Sequence, residues 1–265
     1  MRGGLIDLGS NSFRLLVADG DCVVQRRSHH LGLAQSVSRH GSFTEDDLRE
    51  ATMTARELLR CAQDHWCDQV AIVATEAFRL ASNGSAAVRH MSEVLDHPVR
   101  ILSTAEETML AFQASAAALP DLDALTVVDL GGGSLGVASG TRWAPRPQHH
   151  FSFQLGVHLL APRALEGDRL STSRRVRLEQ HIAEEFHPVA ATLQAGQRQV
   201  VLVGGSARAI AQIVHTARRA EVPSTTHGLR IDCTDLGHLI ARLSDLPTQA
   251  RLAIPGMKTR RAQTL

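Results

Sequence analysis

Asp129-Leu130-Gly131-Gly132-Gly133-Ser134-Leu135-Gly136 decides how this chain is read. An apolar run, Leu125 to Val128, leads into the stretch and ends on a carboxylate. Three consecutive glycines bend the backbone where side chains would clash, and they leave N–H groups able to point at an anion. Val137 and Ala138 then continue as strand. Asp7-Leu8-Gly9-Ser10-Asn11-Ser12 has the same format, with apolar residues on both sides of the turn, as in a β-hairpin. These are two copies of one device: strand, Asp, polar turn, strand. The expectation is an α/β chain of two similar domains, residues 1–121 and 122–265, with Pro120 to Asp123 as linker.

Two familiar patterns match the central stretch by letter only. Gly131, Gly133 and Gly136 spell the dinucleotide fingerprint, and Gly132, Ser134 and Gly136 spell the nucleophile elbow. Both need a helix directly after the turn. Here strand follows, and then a loop through Trp143 to Gln148.

Working outward, a third strand is expected at Cys22 to Arg27 and a loop over residues 28–42. Thr44 and Asp47 form a capping box that opens a helix carrying Leu48, Ala51, Ala55, Leu58, Leu59 and Ala62. Val70–Ala74 and Val99–Leu102 read as strands, Ser85–Leu95 as a helix, and Ser103 opens another that runs to about Leu119. Arg79 and Glu107 both fall just past strand ends, where α/β sheets gather ligands. In the second half the pattern gives a strand at Phe151–Leu155, a turn and short helix to Leu165, and a long helix over Ser171–Ala195. The strand Val200–Val203 follows, running into Gly204-Gly205-Ser206 and a helix over Ala207–Arg219, whose N-terminus suits a phosphate. Asp235–Leu243 is the last expected helix.

Composition narrows the function. The 265 residues carry a net charge of +1, with Lys258 the only lysine, so no overall field recruits nucleic acid or membrane. None of Cys22, Cys61, Cys67 and Cys233 forms a Cys-x-x-Cys pair, which argues against structural zinc. His29-His30 and His149-His150 are expected as solvated loop residues. No signal peptide is visible and no apolar run approaches a membrane span, so a cytoplasmic protein is expected. What remains is three glycine turns at strand ends. With donors from Ser10, Asn11, Ser12 and Ser134, and a two-pronged clamp from Arg79, they form a cradle for phosphates.

Ile6 to Leu15, Asp129 to Ser134 and Val203-Gly204-Gly205-Ser206-Ala207-Arg208 resemble the phosphate and nucleotide motifs of the actin/Hsp70/sugar-kinase superfamily. Their form is that of the exopolyphosphatase and guanosine pentaphosphate phosphohydrolase family. Thr75 to Asn83, Ser103 to Glu107 and Phe153 to Leu159 resemble further motifs of that family, in its order.

The resemblance implies two actin-like (ribonuclease H-like) domains with a phosphate-binding cleft between them. It implies release of the terminal phosphate from inorganic polyphosphate or guanosine pentaphosphate with Mg²⁺ (or Mn²⁺). Glu107 matches the glutamate that activates water, and Asp129, with Asp7 as its counterpart, matches a metal-associated carboxylate. Gly9, Ser10, Asn11, Ser12, Arg79, Gly131, Gly132, Gly133, Ser134, Gly204, Gly205 and Ser206 are the expected phosphate contacts. A homodimer is compatible with the resemblance.

Three positions depart from the family pattern. Gly136 stands where the family has a glutamate, Thr104 where it has a glycine, and His158 where it has an arginine. The family also continues past the point matched by Leu265, through a strand and helix that return to its first domain. Impaired activity is therefore expected. The alternative is a weakened member that senses polyphosphate or guanosine tetra- or pentaphosphate, and a third option is an ATP-using kinase of the same superfold.

Overall fold

In the computed structural model, residues 1–164, 170–194, 199–219 and 221–262 are described. Contacts divide the chain into two units, Met1–Glu107 and Thr108–Leu265.

The first unit opens with β1 (Arg2–Leu8), β2 (Ser12–Asp19) and β3 (Cys22–His30). There follow α1 (Leu33–His40), α2 (Glu45–Asp64), β4 (Gln69–Ala74), α3 (Glu76–Leu80), α4 (Gly84–Leu95) and β5 (Val99–Ile101). The sheet order is β3-β2-β1-β4-β5. β1 is antiparallel to β2 and parallel to β4. Alternation puts Ile6, Leu8, Phe13, Leu15 and Val17 into the core, where α2 covers them with Ala51, Ala55, Leu58 and Ala62. α2 starts where the sequence says it should: the Thr44 hydroxyl accepts from the Asp47 amide while the Asp47 carboxylate accepts from the Thr44 amide, a complete capping box. Phe78 links α3 to this core, with ring centroids 4.9 Å from Phe43 and 6.3 Å from Phe13.

α5 (Thr104–Ala118) leads into the second unit. Then come β6 (Ala124–Leu130), β7 (Leu135–Thr141), β8 (His149–Phe153), α6 (Val157–Ala164), α7 (Thr172–Phe186) and α8 (Ala190–Gln194). β9 (Gln199–Val203), α9 (Gly204–Arg219), α10 (Cys233–Asp245), α11 (Thr248–Arg251) and a 3₁₀ turn at Thr259–Arg261 complete the described chain. The sheet order β8-β7-β6-β9 repeats β3-β2-β1-β4 of the first unit, with the same antiparallel and parallel senses. Leu125, Val127 and Ala138 face Phe112 of α5 on one side. Leu135, Val137 and Phe153 face Ile182 and Phe186 of α7 on the other.

The two-sheet α/β architecture expected from the sequence is present, with local corrections. Residues 28–42 are not a loop: β3 runs on to His30, and α1 follows between Gly32 and Gly41, both at positive φ. The sequence ends this strand too early because Ser28, His29 and His30 on an edge strand show no apolar period. His29-His30 and His149-His150 accordingly lie in β3 and β8. The long helix is interrupted by a 3₁₀ turn, His187–Val189, because Pro188 lacks the N–H that an α-helix needs there. Gly204-Gly205-Ser206 is the first turn of α9 rather than a loop ahead of it. The expected helix ends Leu165 and Ala195 lie outside the described residues.

Candidate active site

The β6–β7 turn is fastened from behind by α6. The Gly156 amide donates to the Gly133 carbonyl at 3.0 Å, Val157 to Gly131 at 3.2 Å and His158 to Gly132 at 2.7 Å. No peptide bond in the described chain is cis. In a trans peptide the N–H opposes the C=O, so the amides of Gly132, Gly133 and Ser134 point away from α6. Gly156 has to be glycine, because a Cβ there would overlap the Gly133 backbone.

The first unit repeats the construction. The Asn11 carbonyl accepts from the Leu31 and Gly32 amides at 3.0 and 3.2 Å, and the Ser10 carbonyl from Ala34 at 2.8 Å. The amides of Asn11 and Ser12 therefore point away from α1. The Ser10 hydroxyl accepts from the Ala77 amide at 3.1 Å, which ties the turn to α3, the helix that carries Arg79. Ser12 Oγ lies 3.3 Å from His30 Nδ1. A Cβ on Gly9 would stand 2.9 Å from the Ser12 carbonyl.

The two aspartates hold the same register position. Asp7 pairs across to Arg14 and, on the parallel side, to Val73; Asp129 pairs to Gly136 and Val203. Burial pushes the Asp7 carboxyl above its ordinary 3.8, and Arg14, 3.4 Å away, pulls it back in part. Asp129 lies between two glycine positions. A Cβ on Gly204 would come 3.0 Å from Asp129 Oδ1, and Gly204 itself has φ +94°, so glycine is favoured there twice over. A Cβ on Gly136 would come 2.5 Å from Thr108 Oγ1.

Glu106 and Glu107 divide their work. Glu106 accepts from the Ser103 amide and hydroxyl, both at 2.8 Å, and pairs with Arg100; the Ser103 hydroxyl accepts in turn from the Glu106 amide. The Ser103 bonds, with Arg100 beside them, lower the Glu106 carboxyl to about 2. This second capping box sets the phase of α5, and Glu107 turns toward Arg79, Oε2 to Nη2 2.5 Å. Arg79 Nη1 also donates to the Leu102 carbonyl at 2.6 Å.

The expected phosphate contacts thus fall into groups within each unit. Gly9 to Ser12 lie at the first hairpin end, with Arg79 on the adjoining α3. Gly131 to Ser134, Asp129 and Gly204 lie together at the second. Gly205 and Ser206 meet the C-terminal segment instead. Arg261 Nη1 donates to Ser206 Oγ at 3.3 Å, and the Arg261 guanidinium occupies the space a Gly205 side chain would need. Buried Arg251 places that segment, donating from Nε to the Leu243 and Leu246 carbonyls and from Nη1 to the Ala262 carbonyl at 3.0 Å. Thr108, Arg14 and Arg261 were not foreseen. Only Arg14 had a sequence signal, since it stands in the first copy of the device where Gly136 stands in the second.

Residues 17–265 match the model of the Ppx/GppA phosphatase family. The fold resembles the Aquifex aeolicus PPX-GPPA enzyme, with a TM-score of 0.86 and 23% identity over 100% of this chain and 88% of that one. An exopolyphosphatase from Cytophaga hutchinsonii gives a TM-score of 0.86 at 23% identity, covering 100% of this chain and 86% of its own. An exopolyphosphatase-like protein gives 0.82 at 26%, covering 100% and 84%. Among the described residues no helix is long and apolar enough to cross a membrane. The family match supports a phosphohydrolase activity, and it agrees with two hairpin turns that present amides in the same way: the chain belongs to the Ppx/GppA phosphatase family, within the actin-like ATPase superfamily.

Proposed function

We propose that the protein releases the terminal phosphate of inorganic polyphosphate or of guanosine pentaphosphate, in the cytoplasmic setting expected from its sequence. The observation that carries this is the pair of hairpin turns whose carbonyls are committed to α6 and α1, so that the amides of Asn11, Ser12, Gly132, Gly133 and Ser134 are aimed to the opposite side. Phosphoryl transfer asks the protein mainly for positioning and charge stabilisation, and aimed amides supply both. Glu107 takes a proton from the attacking water, and Arg79, which orients Glu107, adds a phosphate contact.

Among the described residues no group of three His, Cys, Asp or Glu is arranged to hold a metal. Mg²⁺ commonly uses one or two carboxylates and the substrate's own phosphates, and Asp129, at the strand end beside the amides of Gly132 to Ser134, fits that use. The carboxylate that would serve such an ion is Asp129 in the second unit and Asp7 at the matching place in the first; the ion would supply charge neutralisation on the phosphates.

The test is phosphate release from polyphosphate and from guanosine pentaphosphate by wild type and Glu107→Gln. Turnover lost in the variant is expected; equal rates remove Glu107 from the mechanism. The sensor reading is favoured by one observation, the side-chain place at Gly136 filled by Thr108. Tight binding of either ligand without turnover would establish it.

A further inference from the structure

Gly136 and its counterpart in the first unit, Arg14, meet their aspartates differently. The register position opposite Asp7 is Arg14, whose guanidinium reaches Asp7 at 3.4 Å. The register position opposite Asp129 is Gly136, which has no side chain to reach with. Residues directly opposite on antiparallel strands project to the same face, with Cβ atoms ~5 Å apart. Into that place the structure brings a side chain from another element. Thr108 of α5 is 4% exposed, with Oγ1 2.5 Å and both Cβ and Cγ2 3.4 Å from where a Cβ of residue 136 would stand.

The neighbouring contacts show why Thr108 is there. Phe112, one helical turn on, comes 3.1 Å from where a Cβ of Gly140 would stand. α5 therefore lies on the glycine-bearing face of β7 (Gly136, Ala138, Gly140), which is also the face of Leu125, Val127 and Asp129 on β6. A β-branched side chain on a helix has few rotamers, so Thr108 cannot readily swing clear of that face.

We infer that Thr108 is a positioning residue for Asp129: it occupies the side-chain place of residue 136 and serves Asp129 as Arg14 serves Asp7, with a neutral hydroxyl in place of a cation. Gly136 and Thr108 are then a matched pair. A side chain cannot be added at 136 unless Thr108 is cut back, so a second carboxylate opposite Asp129 needs both changes. Only the consequence for phosphate and metal rests on the function proposed above; the pairing rests on packing.

A melting cycle over wild type, Gly136→Ala, Thr108→Ala and the double variant tests the pairing without any assay of activity. Gly136→Ala is expected to melt several degrees below wild type, and the double variant to recover most of that loss. Additive shifts would overturn the pair. The hydroxyl is tested by calorimetric binding of Mn²⁺ with tripolyphosphate. Thr108→Ser should bind near wild type, whereas Thr108→Val, equal in shape, should bind ~10-fold or more weakly. Wild-type binding by Thr108→Val removes the positioning role. If wild type itself takes up no Mn²⁺–tripolyphosphate, the phosphate reading falls and the hydroxyl's role with it, while the melting cycle still decides the pair.

Discussion

Arg79 and Glu107 hold one another, Nη2 to Oε2 2.5 Å, and the Leu102 carbonyl fixes the other prong of the guanidinium. In the roles proposed for them, base and phosphate clamp, two residues that share a bond act as one unit, and residues acting as a unit give non-additive losses. Glu107→Gln should lower kcat for phosphate release by ~10²–10⁴. Arg79→Ala should cost much less in the Glu107→Gln background than in wild type. Steady-state rates for the four proteins of this cycle check it, and additive losses would mean that the two residues act separately.

Glu106 makes an acid-side prediction. Its folded-state value, about 2, lies below its ordinary 4.5. A carboxylate depressed by folding contributes stability above its unfolded value and loses it as pH falls through the folded one. Melting temperatures of wild type should therefore fall between about pH 5 and pH 2 more steeply than those of Glu106→Gln. Parallel curves would show that the capping box does not carry that dependence.

Two glycines near expected phosphate contacts should respond differently to alanine. At Gly156 the new methyl overlaps the Gly133 backbone, which cannot move without opening the turn. At Gly205 it overlaps the end of the Arg261 side chain, which can swing aside. Gly156→Ala should lose stability and phosphate binding together, and Gly205→Ala should melt close to wild type. Thermal melts with and without tripolyphosphate separate the two cases.

Buried Arg251 and Ser139 bracket the cost of interior polar groups. Truncating Arg251 takes the guanidinium donors from the Leu246 and Ala262 carbonyls, and each buried acceptor left unmet costs ~1–3 kcal/mol, while the Leu243 carbonyl keeps the Leu246 amide. Arg251→Met should destabilise the protein strongly in urea titrations. Ser139 is fully buried and its hydroxyl has no hydrogen-bond partner among the described residues, so Ser139→Ala should be neutral or stabilising.

The sequence showed the architecture wherever period and punctuation agreed. The two Asp-first hairpins, the Thr44–Asp47 capping box and the strand–helix alternation after it are local signals, and the structure contains each. The last residues of β3 escaped because Ser28, His29 and His30 on an edge strand have no apolar alternation to display. Thr108 and Arg261 escaped for another reason. Their partners, Gly136 and Gly205, are distant in sequence, and a glycine in a sequence does not show what fills the space it leaves. Arg79 and Glu107 were both read as candidates, but their bond depends on the phase of α5, which a capping box sets and letters alone do not reveal.

The turns of β1–β2 and β6–β7 present peptide groups, and peptide groups are the same whatever side chains hang from them. A scan that replaces side chains one at a time along Asn11, Ser12 and Ser134 will therefore understate these turns, because each variant keeps its amide. Side chains along such a surface can change while the amides that they hang from stay in place. The informative lesions are indirect: proline, which deletes an N–H, or a bulky residue behind the turn at Gly156, where the backbone is held from the rear.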